Sequence, residues 1–158
     1  MPPPLSSGIL LFRRTSAETE VLLIHPGGPF WTNRDSGAWM IPKGRVDPGE
    51  SPAAAAAREF AEELGTPLAS APFPLCRVRQ SGGKIVEAFG AEGDFDPSTL
   101  NSMEFEMEWP PRSGSMKRFP ECDRARWMTI AEARRMMLPS QLPMLDALES
   151  WLRAGSSR

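Results

Sequence analysis

Along most of this chain the apolar residues come in short blocks separated by turn formers, which is the pattern of strands and connecting loops. Aliphatic and β-branched residues at 8–12 and 20–25 predict two strands, joined by a polar turn through residues 15–19 as a hairpin or as sheet neighbours. Residues 26–37 carry too many Gly, Pro, Asn and Asp for a regular element and read as a surface loop. Residues 39–41 then offer a short strand.

The clearest helix is 52–64. Ser51 is placed to cap it, Pro52 suits its first turn and Gly65 can end it. Alanines at 53–57 favour helix and leave a slim surface able to approach a sheet closely. Further strands are expected at 75–80, 84–90, 103–109 and 124–128. Two helical patterns close the chain, 130–137 with Thr129 and Glu132 at capping-box spacing, and about 141–152 with Leu145, Leu148 and Leu152 at helical intervals. Strands on both sides of a central helix, followed by terminal helices, suggest a mixed sheet covered on two faces.

Composition narrows the function classes. A chain of 158 residues implies one domain, 1–158, with a tail that frays from about residue 153. Its net charge of −2 supplies no global positive field for nucleic acid or anionic membrane, so an anionic substrate must be held locally. Cys76 and Cys122 are too few for a disulfide scaffold, which points to a reducing cytoplasm. The apolar run near the N-terminus is too short for a signal or a membrane span, and its arginine pair follows the run.

The chemistry concentrates around the central helix. Glu59, Glu62 and Glu63 stand at i, i+3 and i+4 and so lie close together, where three like charges repel. A solvated helix face is one reading. The other rests on the context: Gly44 and Gly49 punctuate the preceding loop, Glu50 lies in the turn, and Arg58 stands beside the acids. Taken together, Gly44, Glu50, Arg58, Glu59, Glu62, Glu63 and Gly65 fall at the offsets of the Nudix box, and the segment resembles that of the Nudix hydrolase family. Thr66 departs from the pattern, which usually has an aliphatic residue there.

The resemblance implies an α/β fold, the α/β/α sandwich with a mixed sheet flanked by helices. It also implies a metal-dependent enzyme that hydrolyses a phosphoanhydride. Closely spaced carboxylates become favourable when a hard divalent cation, Mg²⁺ or Mn²⁺, neutralises them. By resemblance Glu59, Glu62 and Glu63 are the metal-binding carboxylates, one of them a candidate base, with the carbonyl of Gly44 completing the shell. Arg58 orients a glutamate, and Glu50 supports the loop or pairs with Arg58. Glu121 occupies the place where many family members carry an extra metal-binding glutamate.

Outside the box, residues 103–109 alternate strictly, with Met103, Phe105, Met107 and Trp109 on one face and Glu104, Glu106 and Glu108 on the other. The acids read as the wet face of an amphipathic strand, with an additional metal or a base near the site as the alternative. Between Arg112 and Arg135, seven basic residues outnumber three acidic ones, either to meet substrate phosphates or as ordinary surface. His25, the only histidine, reads as a local hydrogen-bonding residue.

The lead-in Trp39-Met40-Ile41-Pro42-Lys43-Gly44 resembles that of Nudix enzymes cleaving dinucleoside polyphosphates or diphosphoinositol polyphosphates. Lys43 is then a phosphate contact and Trp39 a substrate neighbour, with packing and solvation as the plain alternatives. Phe30 and Trp31 either stack on a base or plug the sheet edge. Downstream marks are missing: the chain has no tyrosine, and residues 80–84 lack the proline of many ADP-ribose hydrolases. The expected substrate is a nucleoside diphosphate linked to another moiety, a dinucleoside polyphosphate preferred. The alternatives are nucleoside triphosphates, ADP-ribose or sugar nucleotides, diphosphoinositol polyphosphates, or a non-catalytic nucleotide-sensing module. The partner is a small molecule, with no nucleic acid polymer or membrane expected, and the state is monomer or homodimer.

Overall fold

A computed structural model describes residues 4–155. Its centre is a six-stranded mixed sheet. Strand β1 (Leu5–Arg14) runs parallel to β5 (Ile85–Glu92) on one side and antiparallel to β2 (Thr19–Pro26) on the other. Outward from these lie β4 (Phe73–Arg79), antiparallel to β5, and β8 (Cys122–Thr129), antiparallel to β2. The short β3 (Lys43–Arg45) pairs with the start of β1.

Because β1 is covered on both faces, its side chains divide between two cores. Leu10 and Phe12 join Val21, Leu23 and Met128 beneath α2 (Ile130–Met136) and α3 (Pro143–Arg153), whose Ala133, Leu145 and Leu148 are buried there. Ile9 and Leu11 join Leu22, Ile24 and Phe89 beneath α1 (Pro52–Leu64), which contributes Ala56, Phe60 and Leu64. The result is the expected α/β/α sandwich, held by apolar burial on both sheet faces.

Helix α1 has the expected bounds, for the expected reasons. Ser51 accepts the amide of Ala54 at 3.1 Å, Pro52 begins the helix, and Gly65 ends it at φ 80°, a left-handed conformation that a side chain would strain. Ala55 and Ala56 are fully buried, so the helix lies against the sheet. Thr66 is exposed, so its polarity leaves no hole in the core.

Two expectations require correction. Residues 39–41 form isolated bridges, Met40 to Ile24 and Trp39 to Met137, and the strand of this region is instead Lys43–Arg45. Pro42 has no amide to donate, but its carbonyl accepts the amide of Ile9 at 3.1 Å and delivers the next three residues to β1. Strand β6 (Glu104–Glu108) belongs to a separate two-stranded sheet with β7 (Met116–Pro120), a strand that its polar residues concealed. Helix α3 ends at Arg153, and residues 156–158 of the expected frayed tail lie outside the described residues. Among the described residues no helix is long and apolar enough to cross a membrane.

Candidate functional site

The start of β3, the end of α1 and the junction of β7 with β8 meet at a cavity of about 270 Å³. Lys43, Gly44, Arg45, Glu59, Glu62, Glu63, Met103, Glu104 and Glu121 line it. The expected Glu59, Glu62, Glu63, Glu121, Gly44 and Lys43 therefore come together, although Glu121 is 58 positions beyond Glu63 in the chain.

Glu63 is the most constrained of the acids. Only 8% of it is exposed, the backbone amide of Lys43 donates to its Oε2 at 2.9 Å, and the Cys122 thiol donates to its Oε1 at 3.5 Å. Burial chiefly, and then the nearby Glu59, push its pKa up to about 8, against the opposing pull of the thiol and Lys43. Burial likewise lowers the pKa of Lys43 and raises that of Cys122, the latter further by the carboxylate beside it.

Glu59 and Gly44 interlock. A Cβ on Gly44 would stand 2.0 Å from the carboxyl carbon of Glu59, so only glycine admits this carboxylate beside β3. Desolvation raises the pKa of Glu59, opposed by Arg58. Arg58 itself lies behind the acids rather than on the cavity. Its guanidinium grips Glu50 with two bonds of 2.8 and 3.0 Å, and donates to Glu59 at 2.8 Å and to Glu62 at 3.3 Å. A further bond of 2.9 Å to the carbonyl of Arg45 ties helix to strand. The Arg58 bonds and the Asp47 amide hold the pKa of Glu50 down at about 2. Arg58 thus joins the turn, the strand and two cavity acids, and Glu50 completes its bidentate pair.

Glu121 is positioned through its backbone: its amide donates to the Met103 carbonyl at 2.8 Å, and its own carbonyl accepts from Gly27 at 3.0 Å. The donor set is all oxygen, the kind suited to a hard divalent cation. Among the described residues no three acidic side chains are already arranged to hold an ion, because Glu59 and Glu62 turn toward Arg58.

The aromatic expectations fare differently. Trp39 is 1% exposed, its indole N–H donates to Asp35 at 2.8 Å and it packs edge-on to His25, so it braces the 26–37 loop within the core and does not reach the cavity. Trp31 is also away from the cavity lining and lies under the Arg34 guanidinium at 4.8 Å, while the exposed Phe30 packs edge-on against Trp109. Loop residues fold onto local partners here because the loop is too polar to bury its backbone without them. His25 is buried between Asp123 and the carbonyl of Arg34, a local hydrogen-bonding role.

Of the strand acids only Glu104 reaches the cavity. Glu106 faces Arg118 at 3.6 Å, and Glu108 accepts the amides of Arg112 and Gly114 to close the hairpin. The basic run from Arg112 to Arg135 does not gather at the cavity, because it is spread over the hairpin, β8 and α2, where Arg134 pairs with Asp146 and Glu149. Residues 45 and 103 also line the site, without a local signal in the sequence. Arg45 occupies an unspecified box position, and the alternation assigned Met103 only to an apolar face.

The sequence pattern that defines the NUDIX domain matches residues 2–148. A curated relative, the RNA pyrophosphohydrolase of Rhodospirillum rubrum, is 42% identical over 67 residues, a match spanning 40% of this chain and 39% of that protein. Among solved structures, the Caenorhabditis elegans Ap4A hydrolase in a binary complex superposes with a TM-score of 0.65 at 20% identity, covering 94% of this chain and 98% of that one. The NUDIX domain of Shewanella oneidensis NrtR complexed with ADP ribose gives 0.66 at 18% identity, covering 96% and 90%. At these identities the structures speak for the fold alone, and the match of the domain pattern across residues 2–148 shows the family: the chain belongs to the NUDIX family.

Proposed function

We propose that the chain is a divalent-cation-dependent hydrolase of a phosphoanhydride bond in a nucleoside diphosphate linked to another moiety, a dinucleoside polyphosphate such as diadenosine tetraphosphate being preferred. The observation that carries this reading is the joining of Glu59, Glu62, Glu63 and Glu121 on one cavity with Lys43 and Arg45. Nudix hydrolases generally use divalent ions. Here the carboxylates and the Gly44 carbonyl would hold Mg²⁺ or Mn²⁺, which supplies charge neutralisation at phosphorus and acidifies bound water. Arg58 is a positioning residue that keeps Glu59 and Glu62 at the cavity wall. Lys43 and Arg45 face the phosphate oxygens, and a carboxylate of the set takes the proton of the attacking water. The P–O bond to the leaving phosphate breaks as the new P–O bond forms. The two free thiols, Cys76 and Cys122, support a reducing, cytoplasmic setting, and the extent of the domain match supports a single domain.

A second reading is favoured by the partial relative, whose name is RNA pyrophosphohydrolase, namely pyrophosphohydrolysis of an RNA. One panel tests both. Product release is measured with and without Mg²⁺ from diadenosine tetraphosphate, nucleoside triphosphates, ADP-ribose, a sugar nucleotide, a diphosphoinositol polyphosphate and 5′-triphosphorylated RNA. Cation-dependent release, greatest from diadenosine tetraphosphate, is the expected outcome. Release greatest from RNA favours the second reading, and tight binding without product across the panel identifies a sensing module instead.

A further inference from the structure

The lining of the acidic cavity contains a single large apolar side chain, Met103. It is 56% exposed, one of the large apolar residues left open to solvent among the described residues. Its backbone is fixed on both sides by the site itself: the Met103 amide donates to the carbonyl of Glu62 at 3.0 Å, and its carbonyl accepts the amide of Glu121 at 2.8 Å. The neighbouring Ser102 hydroxyl accepts the amide of Cys122 at 3.0 Å and donates to the Met103 carbonyl at 2.9 Å. A flexible, polarisable thioether is therefore held by its main chain between two cavity acids, with nothing on the cavity side to bury it.

Everything else on the cavity suits an ion and phosphates. The exposed thioether does not, and such a group gains most from an aromatic face laid against it. Resting on the phosphoanhydride-hydrolase reading, we propose that Met103 is a specificity-determining residue, the apolar platform at the cavity's solvent-open side against which the aromatic base of a nucleotide packs while its phosphates meet the charged side chains of the same lining. A base-free phosphoanhydride forgoes that contact.

The test uses the full chain with ¹³C-methyl-labelled methionine, whose nine signals include Met103, assigned by its loss in Met103→Leu. The probes are α,β-methylene-ADP and the base-free methylene bisphosphonate, each with Mg²⁺. The nucleotide is expected to move the Met103 methyl signal upfield through the ring current, and the bisphosphonate to leave it without that shift. Calorimetry of Met103→Ala, checked for folding by its melting curve, is expected to lower the ratio of nucleotide to bisphosphonate affinity by about 2- to 10-fold, with Met103→Leu lying in between. An unmoved Met103 signal on a nucleotide-saturated protein, an unchanged affinity ratio, or no nucleotide binding at all overturns the proposal. Turnover with an unresponsive Met103 sinks this inference alone, whereas a responsive Met103 without turnover sinks the hydrolase reading and leaves the base contact standing.

Discussion

Two acidic clusters in this chain carry similar charge but have different surroundings. On α1, Glu59, Glu62 and Glu63 are held by packing, by the guanidinium of Arg58 and by the Lys43 amide, and the last of them is nearly out of water. On β6, Glu104, Glu106 and Glu108 are all exposed; the first two share the cross-strand Arg118, and the third closes the turn of the hairpin. Acidity alone does not make a site. What separates the clusters is desolvation, which perturbs a carboxylate only where the fold withholds water.

The strongest way to break this contrast is to neutralise one acid in each cluster. Glu63→Gln is expected to reduce cation-dependent turnover about 100-fold or more while the protein stays folded, whereas Glu106→Gln stays within about twofold. Kinetics and circular dichroism on the two variants check this, and near-normal turnover in Glu63→Gln with Mg²⁺ would equate the clusters. Gly44→Ala comes next. Its methyl meets the Glu59 carboxylate, so displacement of that side chain is expected to cost about 1–3 kcal/mol of stability, read by urea unfolding, together with most of the turnover.

Arg58→Ala releases Glu50, Glu59 and Glu62 together. Because this network is partly solvated, a stability loss of only about 1 kcal/mol is expected, with a larger loss of turnover, and Arg58→Lys should not restore the bidentate grip on Glu50. The smallest and sharpest effect concerns pH. In the metal-free protein Glu63 keeps its proton up to about pH 8, where an unfolded glutamate releases it near 4.5. The folded state binds the extra proton across that window, so stability falls as pH rises from about 4.5 to about 8. Melting curves of wild type and Glu63→Gln should differ by this slope, which the variant lacks, and parallel pH profiles would refute the desolvation of Glu63.

Much of this was legible in the sequence where local chemistry decides. The cap, proline, alanine run and terminal glycine specify α1 with no help from the rest of the chain. The fixed offsets from Gly44 to Gly65 likewise pick out the acids and their arginine. Contacts made across the fold were less legible. Trp39 reads as a substrate neighbour in a motif, but the bridge to Met137 and the bond to Asp35 draw it into the core. Strand β7 has no apolar alternation because its register with β6 pairs Arg118 with Glu106 and Lys117 with Met107 at the surface. Met103 gains its position only when β8 returns Glu121 to the helix end, a long-range event with no local signature.

Binding of Mn²⁺, followed by its paramagnetic resonance signal at pH 8 in the absence of substrate, tests the central role of the desolvated carboxylate set most directly. Wild-type protein is expected to bind the ion, with Glu63→Gln weakening it by about 10- to 100-fold and Glu106→Gln leaving it within about twofold. Equal affinity in wild type and Glu63→Gln would contradict the account.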